Sequence, residues 1–192
     1  KDADGNEKSI ELTRIHMEED SGKSSHDIDP FDTLIDLNRA GVPLLEIVTE
    51  PVFKNGKEAY NYLIEMRKLV RYLNICDGNM EEGSMRCDVN VSIMPRGSKE
   101  FGQRVEVKNM NSISNVEKAI EYEIVRLAGV IDSGGTVLQE TRNFDANTGE
   151  TIALRKKEDA HDYRYFPEPD LTALHITQDY INEVKKNLPA LP

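Results

Sequence analysis

Only two cysteines occur in the 192 residues, and neither falls in a Cys-x-x-Cys or Cys/His spacing, which excludes a zinc finger or ribbon. Cys76 and Cys87 are read as free thiols of a reducing cytosol, so the expected location is cytoplasmic. No apolar run approaches the ~20 residues of a membrane span, and no signal-peptide pattern opens the chain. Cations are in deficit: 24 Lys and Arg stand against 35 Asp and Glu, a net charge of −11. Such a surface repels a phosphate backbone on average, so RNA contact would need a local basic patch. Repeats and low-complexity tracts are absent. Also absent are G-x-x-x-x-G-K-[ST], G-x-G-x-x-G and a nucleophile elbow. Phosphate loops, dinucleotide folds and serine hydrolases are thereby set aside, and any chemistry falls to carboxylates.

What is present is a well-punctuated pattern of strands and helices. The clearest stretch runs from Met80 to Ile93. From Met85 onward, Met85, Cys87, Val89, Val91 and Ile93 alternate with Arg86, Asp88, Asn90 and Ser92. Period two predicts a strand with one apolar and one polar face. That polar face is either a solvated sheet surface or, given its Arg, Asp and Asn, a chelating and hydrogen-bonding one. A short loop at 95–102 leads to Arg104–Asn109, which alternates in the same way. The short connection predicts an antiparallel hairpin, with Asp88, Asn90 and Ser92 sharing a face with Arg104, Glu106 and Lys108.

Upstream, residues 10–17, 33–38 and 42–51 read as extended, separated by a polar, turn-like segment at 24–30. Glu18, Glu19 and Asp20 are either a solvated loop or metal ligands at a strand end. Glu46, set among Leu and Ile, needs a partner or a place at the rim, because an unpaired buried carboxylate is costly. Helices are predicted over 57–73 and 114–132 from apolar residues at three- and four-residue spacings. Ser114 and Glu117 have capping-box spacing, and Gly134-Gly135 closes the second helix. The polar face of the first helix is a solvated surface or a weak nucleic-acid contact. Two runs, Thr136–Phe144 and Thr151–Arg155, flank a turn at 145–149 and suggest another hairpin. The loop 160–170 carries aromatics for the core, or His161 and Arg164 for a phosphate. A last helix is predicted over 178–187, capped by Thr177. The sum is α+β, with a largely antiparallel sheet and flanking helices.

Several runs carry a resemblance. Leu34-Ile-Asp-Leu-Asn-Arg-Ala-Gly-Val-Pro-Leu-Leu-Glu-Ile-Val-Thr-Glu-Pro51 resembles the signature of the B subunit of the tRNA-dependent aspartyl/glutamyl-tRNA amidotransferases. His16-Met-Glu-Glu-Asp-Ser-Gly-Lys23, Asp77–Ser92, Val105–Ser112 and His161–Asp170 resemble the same family in the same order, over nearly the whole chain. Val52 departs from it, standing where the family often has Asp.

The resemblance implies a glutamine synthetase-like fold that presents carboxylates to Mg²⁺ and ATP. It implies that ATP phosphorylates the side-chain carboxylate of mischarged Glu-tRNA(Gln) or Asp-tRNA(Asn). Ammonia from an amidase subunit then displaces the phosphate. The implied partners are that amidase subunit, the small subunit of the same heterotrimer, and the mischarged tRNA. By position, Glu19, Asp88 and Glu106 match carboxylates of the metal and reaction centre. Glu46 matches a functional glutamate of the metal or of the ammonia path. Glu82, Arg86 and Lys108 would face phosphate or support the ligands; Arg142 and Arg164 are each either phosphate-facing or a surface ion pair. The polar opening at Lys1 and the ending at Pro192 lead to the expectation that residues 1–192 are one catalytic domain, cut from a longer protein that adds an N-terminal segment and C-terminal tRNA-binding domains. Two rivals are a non-catalytic RNA-binding scaffold, which would need basic or aromatic residues on the polar face, and a metal-dependent phosphodiesterase.

Overall fold

The structure is a computed structural model that describes residues 2, 5–26, 28–156 and 172–190. The chain divides into two compact units, Asp2–Lys54 and Asn55–Pro192. No helix among the described residues is long and apolar enough to cross a membrane.

The first unit is built of two ribbons. β1 (Leu12–Glu19) pairs antiparallel with β4 (Pro43–Thr49), and the short β2 (Lys23–Ser25) with β3 (Leu34–Asp36). The turn-like reading of 24–30 therefore yields at its start to a strand. Pro43 opens β4, the position a strand tolerates because no ladder donor is lost there. Alternation along β1 sends Ile15 and Met17 to one side, where they face Ile47 and Leu45. That side stays open, with Met17 82% exposed. A two-stranded ribbon has too little area to bury its own apolar face, and no described residue of this unit is fully buried.

The buried core lies in the second unit. α1 (Gly56–Tyr72) starts at Asn55, whose side chain accepts a hydrogen bond from the Glu58 amide. Gly56 is required by packing: a Cβ there would stand 2.6 Å from the Glu117 carbonyl oxygen of the next helix. Then come β5 (Val89–Val91), β6 (Val105–Lys108), α2 (Ile113–Asp132), β7 (Glu140–Asp145) and β8 (Glu150–Lys156). The sheet order is β5-β6-β7-β8. The two hairpins are antiparallel as expected, whereas β6 and β7 are parallel. The reason is the 20-residue helix between them, which returns the chain to its starting end before the next strand begins. Val105, Val107, Val116, Ala119, Leu127 and Phe144 form the buried layer between this sheet and α2.

Further sequence readings change. The hydrogen-bonded strand is Val89–Val91, not 85–93, because its partner ends at Lys108 and Asn109 turns away with φ +69°. The burial alternation nevertheless runs back through Cys87 to Met85, both packed on the core. The cap of α2 is Ser112, whose hydroxyl accepts from the Asn115 amide, rather than Ser114. Gly134 closes that helix with φ +77°, donating its amide to the Ile131 carbonyl. α3 (Gln178–Asn187) begins at Thr177, as the sequence predicts.

Candidate active site

The β5–β6 register fixes which side chains meet. Val89 opposes Val107, Asn90 opposes Glu106, and Val91 opposes Val105. The valines turn to α2, so Asn90 and Glu106 must project from the other face. Asp88, one residue ahead of β5, and Lys108, the last of β6, follow the same parity. Lys108 Nζ lies 2.5 Å from Asp88 Oδ2 and 3.3 Å from Glu106 Oε1. On its far side, Glu106 Oε2 accepts a hydrogen bond of 3.0 Å from Thr141 Oγ1 on β7. The expected pair of carboxylates on one face is present, joined by an ammonium.

Burial works against the charge on Lys108, but its hydrogen bond to Asp88 and the charges of Asp88 and Glu106 outweigh it and hold its pKa above the ordinary value. The gradient of exposure runs from Glu106, whose side chain is 18% exposed, to Asp88 at 48%. Arg86 is exposed two positions before Asp88, with the same parity. Glu82 is exposed in the preceding turn, where its amide donates to Asn79 Oδ1.

Arg142 belongs to a different network, on the α2 side of the sheet. It donates to Glu140, to the Thr151 hydroxyl and to the Thr151 carbonyl, and approaches Glu123 at 3.3 Å. Glu123 is fully buried, held by a two-pronged Arg126 and by the Thr151 hydroxyl. Arg142 is thus an ion-pair residue and shares no face with Glu106. Sequence reasoning missed Glu123 because it counted only apolar residues in the α2 stripe. Its signal is position: it takes the inward place between Ala119 and Leu127, with Arg126 three residues on.

In the first unit, cross-strand pairing sets Glu46 opposite His16. Arg14 Nη2 lies 3.3 Å from Glu46 Oε2, and His16 Nδ1 lies 3.6 Å from both Glu46 Oε2 and Glu18 Oε1. One ligand atom each of His16, Glu18 and Glu46 falls within 4.8 Å of the others. Glu46 therefore has partners at an exposed position and is not a buried orphan. Glu19 takes the opposite face of β1, across from Pro43, and does not join them. Glu18 is among the candidate ligands at the strand end; the overlooked residue is His16, whose spacing of two from Glu18 on a strand already puts both on one face. Arg164 and His161 lie outside the described residues.

The GatB/GatE catalytic domain family matches residues 1–182. The chain belongs to that family. A curated relative from Myxococcus xanthus (strain DK1622), named as the B subunit of an aspartyl/glutamyl-tRNA(Asn/Gln) amidotransferase, is 58% identical over 186 residues, covering 97% of this chain and 39% of the relative. Relatives of the same name from Syntrophotalea carbinolica and Chlorobium luteolum are 55% and 56% identical over 191 residues, each covering 100% of this chain and 40% of the relative. The chain thus spans about 40% of the length of the curated relatives it matches.

Within this GatB/GatE catalytic domain the two clusters differ in donor chemistry. Asp88 and Glu106 offer only carboxylate oxygens, the hard donors that Mg²⁺ selects. His16 with Glu18 and Glu46 is a mixed nitrogen–oxygen set, whose imidazole suits a first-row transition metal better than Mg²⁺. Both sets fit a divalent cation; the first already holds a monovalent one in Lys108.

Proposed function

We propose that this chain is the catalytic core of an amidotransferase B subunit that converts mischarged Glu-tRNA(Gln), Asp-tRNA(Asn) or both into the cognate amide at the expense of ATP. The observation that carries this reading is the Asp88–Lys108–Glu106 constellation on the open sheet face, in a chain of this family. A side-chain carboxylate oxygen of the tRNA-borne amino acid attacks the γ-phosphorus, and ADP leaves. Ammonia then attacks the carbonyl carbon of that acyl phosphate, inorganic phosphate departs, and a proton is lost from nitrogen to give the amide.

Each proposed residue has a task in this scheme. Asp88 and Glu106 hold Mg²⁺, with Thr141 fixing the rotamer of Glu106. Bound there, Mg²⁺ would offset phosphate charge and polarise the phosphoryl group. Arg86 and Lys108 place cations where phosphate oxygens arrive. Glu19 is a further metal-bearing carboxylate. Glu46, with His16 and Glu18, serves a metal or the ammonia path, and Arg164 faces phosphate. A glutamine synthetase-like arrangement, a cytoplasmic location, ammonia supplied by an amidase partner, and a small third subunit complete the reading. The scaffold alternative is disfavoured because, although the face carries basic residues, the Lys108 ammonium is engaged by Asp88 and Glu106 rather than presented to a phosphate backbone.

The test uses the complete complex with Asp88→Asn and Glu106→Gln, followed by tRNA-dependent ADP formation. Loss of several kcal/mol of metal-borne stabilisation lowers the rate by roughly a hundredfold or more. Saturating ammonia does not restore it, whereas glutamine hydrolysis by the partner partly survives. Near wild-type ADP formation in either variant would make that carboxylate structural. Cleavage of the tRNA without ATP would favour the phosphodiesterase.

A further inference from the structure

We propose that the Lys108 ammonium is a resident cation of the Asp88–Glu106 pair, and that a divalent metal enters by displacing it. The inference rests on the reading of that pair as a metal site. Nζ lies 2.5 Å from one oxygen of Asp88 and 3.3 Å from one of Glu106, so it bridges the same two carboxylates that an ion bonded to both would bridge. Mg²⁺ binds oxygen at about 2.0–2.1 Å and tolerates little distortion. Two cations in one such gap repel each other, so the bridge and the metal exclude one another.

The surroundings allow this exchange. Thr141 holds the other oxygen of Glu106, which keeps the carboxylate in place when the ammonium departs. Asp88 precedes β5 and is outside the ladder, free of its hydrogen-bond pattern. Lys108 is the last residue of β6, its side chain is 38% exposed, and its flexible stem can swing into solvent. Without either cation the two carboxylates would face each other as like charges. Lys108 thus keeps the empty site assembled. Once displaced, it carries its charge to the same open face, next to any phosphate that the metal holds.

The experiment measures binding, not turnover. Mn²⁺, a paramagnetic substitute for Mg²⁺, is titrated into the complete complex, and free ion is followed by electron paramagnetic resonance. The wild type is compared with Lys108→Met, Lys108→Gln, Lys108→Arg and Asp88→Asn. The Asp88→Asn variant identifies the signal of this site among any others. Removal of the lysine charge, in either neutral variant, tightens the Asp88-dependent site by about tenfold or more. Lys108→Arg binds no tighter than wild type. Thermal melting gives a second readout: metal-free Lys108→Met melts lower than wild type, and Mn²⁺ raises its Tm by more. Unchanged or weaker Mn²⁺ binding in both neutral variants would overturn the inference while leaving the metal site standing. Absence of any Asp88-dependent Mn²⁺ signal, in wild type and neutral variants alike, would remove the metal reading and the inference with it.

Discussion

Asp88 and Cys87 are neighbours on one extended segment, yet alternation gives them opposite environments. Burial, and then the charge of Asp88, pushes the Cys87 thiol up from 9.0 to about 12. At pH 8 that change cuts the thiolate fraction by about a thousandfold. The native protein should therefore leave Cys87 unalkylated by iodoacetamide at pH 8 while it labels fully after unfolding; mass mapping of rapid native labelling at Cys87 would contradict the packing described. The linkage has a definite sign. The folded thiol keeps its proton to higher pH than the unfolded one, so this group's contribution is intact below about pH 9 and declines as the pH climbs towards 12. At this scale the sequence is readable wherever period two holds: the parity of Met85–Ile93 by itself puts Asp88 with Glu106. The same rule, applied to Glu18 and Glu19, separates them. Glu123 is not readable, because a carboxylate in an apolar stripe becomes tolerable only through Arg126, Arg142 and Thr151, two of which come from distant strands.

Among the elements, α2 is the one whose ends and inner face can be tested separately. Ser112→Ala removes the hydroxyl that caps the Asn115 amide and should lower stability by about 1 kcal/mol. Ser114→Ala lies inside the helix and should change it little; the reverse order in denaturant midpoints would restore the capping box read from spacing. Glu123→Ala leaves Arg126 and Arg142 without their shared buried anion, and breaking such a pair costs about 3–5 kcal/mol. Thermal unfolding that moves by less than a degree would show that the network is dispensable. Helix bounds are legible to within a residue or two because apolar spacing and end signals agree. The strand read over 85–93 and the unread one at 23–25 are not, since a ladder's length depends on its partner: Asn109 ends one strand, while residues 34–36 supply the other. The parallel β6–β7 contact is likewise invisible locally, for it follows from where α2 returns the chain.

For the molecule as a whole, a net charge of −11 and a core confined to residues 55–192 describe a scaffold that offers carboxylates rather than a broad RNA-binding surface. Family membership is legible because whole runs such as Leu34–Pro51 and Asp77–Ser92 match in order, whereas composition alone stops at an acidic α+β domain. What the sequence does not display is the ammonium between the two carboxylates, which arises only when β5 and β6 pair. The central claim is that this face joins ATP to a carboxylate. It is tested most directly by oxygen transfer in the complete complex, with ¹⁸O in the side-chain carboxylate of the mischarged aminoacyl-tRNA, ATP and excess ammonia. An attacking carboxylate oxygen must leave with the phosphate, so the account predicts one ¹⁸O in each inorganic phosphate released, and strongly reduced release of labelled phosphate with Asp88→Asn. Amide formation accompanied by unlabelled phosphate would contradict it.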